Sequence, residues 1–254
     1  MYVFISPHLD DIALSCGGFV RRLTHAGERV AIVTVCTADA PPGQPLSPSA
    51  QHEHWQWQLG DQPYRLRCQE DDLMVAELGA ESVHLGLLDA IYRHDDDGQP
   101  LYTGKEFIGG QVHAADWKHQ LPALLAALQP ALAALPAQKV FCPLTAGGHV
   151  DHVITRRAVE QLCPASQVQY YEDYPYAQKD SAALANALGV GALGVGAWRS
   201  TLIALTQAEI EARISAIACY KSQMFAVFGD AAAMPALVRE YVVRTGGERY
   251  WERV

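Results

Sequence analysis

Apolar runs alternate with amphipathic segments along this chain. Short runs rich in β-branched and aromatic residues predict strands over residues 2–5, 29–37, 81–86, 139–144 and 166–171. Apolar positions recur at helical spacing over residues 12–23, 64–79, 117–135 and 207–223. The nearly continuous run at 29–37 is typical of a strand buried on both faces of a parallel sheet. The alternation predicts one doubly wound, Rossmann-like α/β domain over residues 1–254, with a mostly parallel sheet.

Two long irregular regions, residues 38–62 and 87–115, interrupt this alternation. Residues 38–50 hold four prolines and one glycine, and His52, His54, Trp55 and Trp57 follow them. Long loops in a compact domain are usually functional or disordered, so we expect loops at the carboxyl ends of the strands that form a wall of the site and set specificity. The Leu-Gly-Val-Gly-Ala repeat at 188–197 is interpreted as a loop expansion.

Composition limits the classes of partner. The chain has 254 residues and a net charge of −9, which argues against nucleic acid or an anionic membrane as the main partner. No apolar run is long enough to span a bilayer. The first residues lead into a strand without the features of a signal peptide, and the six cysteines lack paired spacing, so we expect a cytoplasmic protein. The expected partner is a small molecule, and a homo-oligomer stays open.

Two polar clusters each follow a predicted strand and precede a predicted helix. The first is His8, Asp10 and Asp11, and the second is His149, Asp151 and His152. Asp151 is a plausible N-cap of the second helix. Ligands of an open α/β sheet bind at the carboxyl ends of its strands, so the two clusters are expected to converge there.

Imidazoles with a carboxylate form a common ligand set for a divalent metal, and zinc is the first candidate. His8 and Asp11 are three residues apart across a tight turn and can face one ion. His149 and His152 compete for the third position. Asp10 is then free to act as a general base, and the remaining histidine can stabilise an oxyanion or protonate a leaving group.

At these residues the sequence resembles the PIG-L/LmbE-like family of zinc-dependent N-acetyl-sugar deacetylases. The motif (A/P)-H-(P/x)-D-D is matched at residues 7–11, and H-x-D-H is matched at residues 149–152. The resemblance implies one Zn2+ per chain, or another divalent metal, on His8, Asp11 and His152. It implies Asp10 as the general base, His149 as a charged partner of the oxyanion, and Asp151 as the group that orients His149.

The resemblance also implies the substrate class. The expected reaction removes an N-acetyl group from an N-acetylglucosamine-type sugar or conjugate and gives acetate and a free amine. Side chains expected near the sugar, including aromatic platforms, are Arg67, Asp89, Trp55, Trp57, Tyr171, Glu172 and Tyr174. Leu9 and Ile12 depart from the common pattern, and Gly147 stands where mycothiol-pathway members place a tyrosine. We therefore expect a different substrate preference.

Other functions remain as alternatives. A magnesium-dependent phosphohydrolase could use Asp10 and Asp11, but it would need a phosphate cradle, and Gly17-Gly18 lie a turn inside the predicted helix. A non-catalytic sugar- or metal-binding protein of the same fold would be expected to lack part of the catalytic set, but all six polar residues of the two clusters are present. The hypothesis of a dinucleotide-binding protein has less support, because the motif G-x-G-x-x-G is missing after the first strand.

Overall fold

The computed structural model describes residues 1–60, 62–179, 181–189 and 197–254. Within these residues, seven strands form one sheet. The strands are β1 (Tyr2–Ser6), β2 (Val30–Ala38), β3 (Glu81–Leu88), β4 (Lys139–Pro143), β5 (Val168–Tyr171), β6 (Trp198–Ile203) and β7 (Glu248–Arg253). Their order is β3-β2-β1-β4-β5-β7-β6. The first five strands are parallel to one another, and β7 is antiparallel to both β5 and β6. The predicted mostly parallel, doubly wound sheet is confirmed.

Helices cover both faces of this sheet. The longer ones are α1 (Asp11–His25), α2 (Pro48–Trp57), α3 (Pro63–Leu78), α5 (Gln120–Ala134), α6 (Val150–Leu162), α9 (Gln207–Ala218) and α11 (Met234–Thr245). The shorter ones are α4 (Ala114–Lys118), α7 (Tyr176–Lys179), α8 (Ser181–Ala187) and α10 (Met224–Phe228). Within the described residues, no helix combines the length and the apolar character needed to cross a bilayer.

The two faces have separate cores because successive residues of a strand point to opposite sides. In β1, Phe4 belongs to the core beneath α1, α3 and α9, whereas Val3 and Ile5 belong to the core beneath α5 and α6. All three side chains are fully buried. This arrangement explains why β1 and β2 are continuously apolar rather than alternating.

Several elements differ from the sequence-based prediction. The predicted helix over 117–135 is two helices that meet at His119, and the helix predicted over 207–223 ends at Ala218. Region 38–62 is not irregular throughout, because Pro48 begins α2 and the Ser47 hydroxyl accepts a hydrogen bond from Ala50 N at its start. Most of the repeat at 188–197 lies outside the described residues. The single-domain organisation stays a prediction.

The carboxyl-terminal strand β7 was not predicted, and a buried carboxylate connects it to α1. Glu248 accepts hydrogen bonds from Gly18 N at 2.9 Å and Phe19 N at 3.0 Å, and it faces the buried guanidinium of Arg213 at 3.4 Å. A Cβ on Gly18 would lie 2.5 Å from Leu205 Cδ1. The glycine pair in α1 therefore permits close packing and does not form a phosphate cradle.

Strand order places a crevice between β1 and β4. The chain leaves β1 toward β2 on one side, and β4 joins β1 on the other, with Phe4 level with Phe141. The loops that follow these two strands therefore diverge over opposite faces and leave an opening between them. Both polar clusters lie on these loops.

Candidate active site

The two polar clusters meet at the carboxyl ends of β1 and β4. His8 and Asp10 lie in the loop that joins β1 to α1, and Asp11 begins the helix. His149 lies directly before α6, and Asp151 and His152 are in its first turn. All six side chains are buried, and the His8 and His149 ring centroids are 4.6 Å apart. The predicted convergence of the clusters is what the structure shows.

The start of α6 differs from the expectation in one respect. The N-cap is His149, whose Nδ1 accepts a hydrogen bond from the Asp151 N–H at 3.2 Å. Asp151, which we expected to be the cap, lies two residues further along, in the first turn of the helix. Its carboxylate accepts hydrogen bonds from Ala90 N and Arg93 instead. The preceding loop contains Thr145 at φ 70°, a left-handed conformation that costs energy for a β-branched residue.

Three donor atoms match the spacing of a tetrahedral metal site. Asp11 Oδ2 lies 3.4 Å from His8 Nδ1 and 3.4 Å from His152 Nε2. Zinc bonds of about 2.0–2.1 Å in tetrahedral geometry separate ligand atoms by roughly 3.3–3.4 Å. The separations of His8 and of His152 from Asp11 therefore match those of ligands on one zinc ion.

Each of the two histidines has a carboxylate on its other ring nitrogen. His8 Nε2 lies 3.1 Å from Asp151 Oδ2, and His152 Nδ1 lies 2.6 Å from Asp173 Oδ1. Metal-binding histidines usually donate their second N–H in this way, which fixes the tautomer and makes the ligand more basic. This pairing leaves His8 Nδ1 and His152 Nε2 facing Asp11, as a shared ion requires.

His149 is a weaker candidate for the third ligand, although nitrogens of His8, His149 and His152 lie within 4.8 Å of one another. Its Nδ1 is occupied by the helix cap. The Asp151 carboxylate is 3.9 Å from that nitrogen, so Asp151 orients His149 through its backbone N–H and not through its carboxylate. Asp151 faces His8 instead, which corrects the expected pairing.

The carboxylates give the site a negative potential. Burial opposes a charge on His8, yet Asp89, Asp11 and Asp151 raise the pKa of His8 well above its ordinary value. Burial likewise opposes the charged form of His152, but Asp11 and Asp173 raise its pKa to about 9. A field that holds protons on two imidazoles also attracts a divalent cation in their place.

His149 behaves differently from the other two imidazoles. Burial, together with the charge of nearby His8, lowers the pKa of His149 well below its ordinary value. Burial and the charge of His8 thus favour the neutral imidazole, and the charged oxyanion partner that the resemblance implies stays a prediction. Since Nδ1 accepts the Asp151 N–H, the proton of the neutral ring lies on Nε2.

Asp10 lines the same cavity as the candidate metal ligands and faces Arg67. Burial raises the pKa of Asp10, although Arg67 acts in the opposite direction with its Nη2 atom 3.5 Å from Asp10 Oδ1. The Arg67 guanidinium is 2% exposed and lies over the rings of Trp57 and Tyr64, with centroids at 4.5 and 5.0 Å. These rings hold the guanidinium against Asp10.

Arg93 was not predicted, and it holds the second motif in place from the loop after β3. Its guanidinium binds Asp151 on one side and Asp116 on the other, where Arg93 Nη2 lies 2.8 Å from Asp116 Oδ2. It also donates to Leu88 O at 3.1 Å. Arg93 thereby keeps the Asp151 carboxylate ionised and directed at His8.

A cavity of about 360 Å³ opens over these residues. Apart from the two histidine clusters, its polar and aromatic wall includes His52, Glu53, Gln56, Trp57, Arg67, Asp89, Lys105, Phe107, Tyr174, Tyr176 and Gln223. Arg67, Asp89, Trp57 and Tyr174 therefore lie where we expected substrate contacts. Helix α2 provides one wall of the cavity, as we expected for the region that contains it.

Three expected substrate contacts do not line this cavity. Trp55 is 62% exposed and packs edge-on against Phe225. The Tyr171 hydroxyl donates to Ile5 O at 3.0 Å inside the core. Glu172 accepts a hydrogen bond from Trp251 Nε1 at 2.9 Å, on the side of β5 that faces β7. Strand pleat and helix phase turn these side chains away from the cavity.

Tyr176 accounts for the glycine that departs from the common pattern. Gly147 has φ 86°, and a Cβ there would lie 2.7 Å from Tyr176 Cβ. The Tyr176 ring packs edge-on to His152, with centroids 6.2 Å apart. The space that a side chain at 147 would take is therefore filled by a tyrosine from another loop, which one sequence could not reveal.

Comparison with known proteins adds a family to this geometry. The family model described as PIG-L, GlcNAc-PI de-N-acetylase, matches residues 3–163. A 2'-N-acetylparomamine deacetylase from Niallia circulans is 28% identical over 243 residues, which cover 91% of this chain and 83% of the relative. A protein of the same name from Streptomyces fradiae is 32% identical over 199 residues, which cover 70% of this chain and 59% of the relative.

Solved structures agree in fold. A zinc-inhibited form of teicoplanin deacetylase superposes with a TM-score of 0.79 at 28% identity, covering 100% of this chain and 97% of that one. A teicoplanin complex of a deacetylase gives a TM-score of 0.77 at 28% identity, covering 100% and 98%. The resemblance stated from two short motifs is confirmed, and neither a phosphohydrolase nor a non-catalytic binder finds support. The chain belongs to the PIG-L family of hydrolytic N-deacetylases, which act on carbon–nitrogen bonds.

Proposed function

We propose that this protein is a zinc-dependent deacetylase that removes the N-acetyl group from an N-acetylglucosamine-type sugar of a glycoconjugate. The observation that carries the proposal is the donor set of His8, Asp11 and His152, in which both histidine nitrogens lie 3.4 Å from the Asp11 carboxylate and all three residues line the cavity. The names of its relatives support an amino-sugar conjugate as the substrate. The net charge of −9 would repel nucleic acid, so a small-molecule substrate agrees better with this chain.

The proposed ligands are supported by neighbouring carboxylates. His8 and His152 would hold the metal through the nitrogens that face Asp11, and Asp151 and Asp173 fix the two rings. A bound zinc ion would polarise the acetamide carbonyl and make hydroxide available at neutral pH.

Asp10 is the proposed general base. Its carboxylate lies in the cavity beside the ligands and can take the proton of the attacking water. Burial raises its pKa toward the operating pH, which makes proton transfer more favourable. Arg67 keeps the carboxylate in position without a short, direct ion pair, since their nearest atoms are 3.5 Å apart.

His149 is the proposed oxyanion donor. The neutral ring carries its proton on Nε2, and the residue lines the cavity beside His8 and His152. A neutral imidazole N–H can stabilise the negative oxygen of a tetrahedral intermediate as other oxyanion donors do. The proton that Asp10 takes up then passes to the leaving amine, so that acetate and an amino sugar are released.

Two variants test these roles together. Asp10→Asn should bind zinc at about one ion per chain and lose roughly 10²–10⁴-fold in kcat, the usual contribution of a general base. His152→Ala should fail to retain zinc, because one of three ligands and its Asp173 contact are lost. Metal analysis and acetate release from a panel of N-acetylglucosamine conjugates, including 2'-N-acetylparomamine, measure both effects. Normal turnover of Asp10→Asn would remove Asp10 from the reaction, and full zinc in His152→Ala would overturn the ligand set.

A further inference from the structure

Glu53 places a carboxylate in the cavity wall opposite the catalytic loops. It lies in the middle of α2, is half-buried, and lines the cavity together with His52, Gln56 and Trp57 of the same helix.

 Among the described residues, the one hydrogen bond to its carboxylate comes from Gln56 Nε2 at 3.4 Å.

The other carboxylates that line the cavity already have partners. Asp11 faces His8 and His152 and accepts the His8 N–H at 2.8 Å. Asp10 faces Arg67. Asp89 accepts hydrogen bonds from the Tyr64 hydroxyl and from Ile91 N, and it lies 3.6 Å from His8 Nε2. Each of these three charges is therefore committed to the catalytic centre or to its supports.

Glu53 differs from these three in its surroundings. In the part of the chain that the structure describes, no lysine, arginine or histidine nitrogen lies within 4 Å of its carboxylate. Burial and then the charge of Asp89 raise the pKa of Glu53, while the charges of His52, Arg67 and Lys105 act in the opposite direction. The carboxylate is thus partly desolvated without a cation, a state that an incoming positive charge relieves.

We propose that Glu53 binds an ammonium group of the substrate, so that the preferred substrate carries a free, protonated amine in addition to the acetamide that is cleaved. This inference rests on the proposed function and narrows its substrate class to cationic amino-sugar conjugates. The acetamide lies at the metal ligands, and the ammonium reaches the wall formed by α2. A hydroxyl in place of the ammonium would leave the Glu53 charge uncompensated, and this difference gives the selectivity.

The test uses matched pairs of N-acetylglucosaminides. In each pair the aglycone ends in a primary amine or in a hydroxyl, on alkyl spacers of increasing length, and acetate release by the zinc-loaded protein is measured at pH 7. We expect the amine member of at least one pair to be favoured by about tenfold in kcat/KM, as for a partly desolvated charge pair. Glu53→Gln should abolish this preference by raising KM for the amine, while the kcat/KM of the hydroxyl substrates does not fall, because the uncompensated charge is gone.

The control is Glu106→Gln, which removes the same charge from an exposed carboxylate that does not line the cavity. It should leave the preference intact, since its effect is limited to the long-range field. Equal use of the amine and hydroxyl members by the unmodified protein would overturn the proposal, and so would a loss in Glu53→Gln that is the same for both members.

A failure of the proposed function gives a different result. In that case none of the glycosides releases acetate, and calorimetric titration with the same pairs decides the role of Glu53. Tighter binding of the amine member that disappears in Glu53→Gln supports the ammonium site even without turnover. Equal binding of both members refutes it.

Discussion

Removal of the Arg93 charge should destabilise the protein far more than removal of a comparable charge at the surface. Arg93 is 5% exposed in its side chain, and its two partners, Asp116 and Asp151, are each 2% exposed. The substitution Arg93→Met keeps much of the apolar length of the side chain and deletes the guanidinium. Two buried carboxylates then lose the guanidinium that both of them bind.

The magnitude follows from this burial. Breaking one buried ion pair by removing a partner costs about 3–5 kcal/mol, and here one guanidinium serves two carboxylates. In a chain of this size about 1 kcal/mol corresponds to 2–4 °C in Tm, so Arg93→Met should lower Tm by roughly 6–20 °C. Arg239→Met is the matched control, because Arg239 and its partner Glu211 are both 44% exposed and such pairs contribute at most about 1 kcal/mol.

Thermal and urea unfolding of the two variants, both treated with chelator so that metal binding does not add to stability, measure the difference. The double variant Arg93→Met with Asp116→Asn should lose less than the sum of its parts, because one of the orphaned charges is removed. Equal shifts in Arg93→Met and Arg239→Met would refute the reasoning, since they would mean that the carboxylates find water or protons at little cost.

Two further predictions concern Asp173 and His84. Asp173→Asn removes the carboxylate 2.6 Å from His152 Nδ1 and should weaken zinc binding by about 10–100-fold in a chelator competition, whereas Asp230→Asn, at an exposed turn, should not change it. The Asp71 hydrogen bond, followed by Cys68, raises the pKa of His84 to about 10, so its stabilisation is full below the ordinary pKa near 6.5 and is lost as the pH rises through 10. The unfolding free energy of His84→Gln should therefore lie about 1–2 kcal/mol below that of the unmodified protein at pH 6, and the two should converge above pH 10; a constant gap across this range would contradict the assignment.

Elements that depend on short-range order could be predicted from the amino-acid sequence. The continuous apolar runs of β1 and β2 and the helical spacing in α1 reflect burial of one face or both, a property that repeats every few residues and is visible locally. The two motif clusters were also visible, because each lies within one loop after one strand. Parallel pairing then brings such loops to the same edge of the sheet, which is a general consequence of topology.

Elements whose formation depends on distant partners were not visible in this way. Strand β7 carries charged residues at four of its six positions, and it is stable because Glu248, 230 residues away from Gly18 along the chain, accepts hydrogen bonds from the backbone of α1. Trp55, Tyr171 and Glu172 have residue types suited to a sugar site, but helix phase and strand pleat turn them away from the cavity.

The side chains that support the site became visible in the folded structure and not in the sequence. Arg93 and Asp173 lie 58 and 21 residues from the motif residues that they hold, and neither forms a recognisable spacing with them. The raised pKa of Glu53 comes from burial and from the charge of Asp89, and among the described residues no cationic nitrogen lies within 4 Å of its carboxylate. Charge, desolvation and hydrogen bonding act through space, so residues that are ordinary along the chain become distinctive only where the fold brings them together.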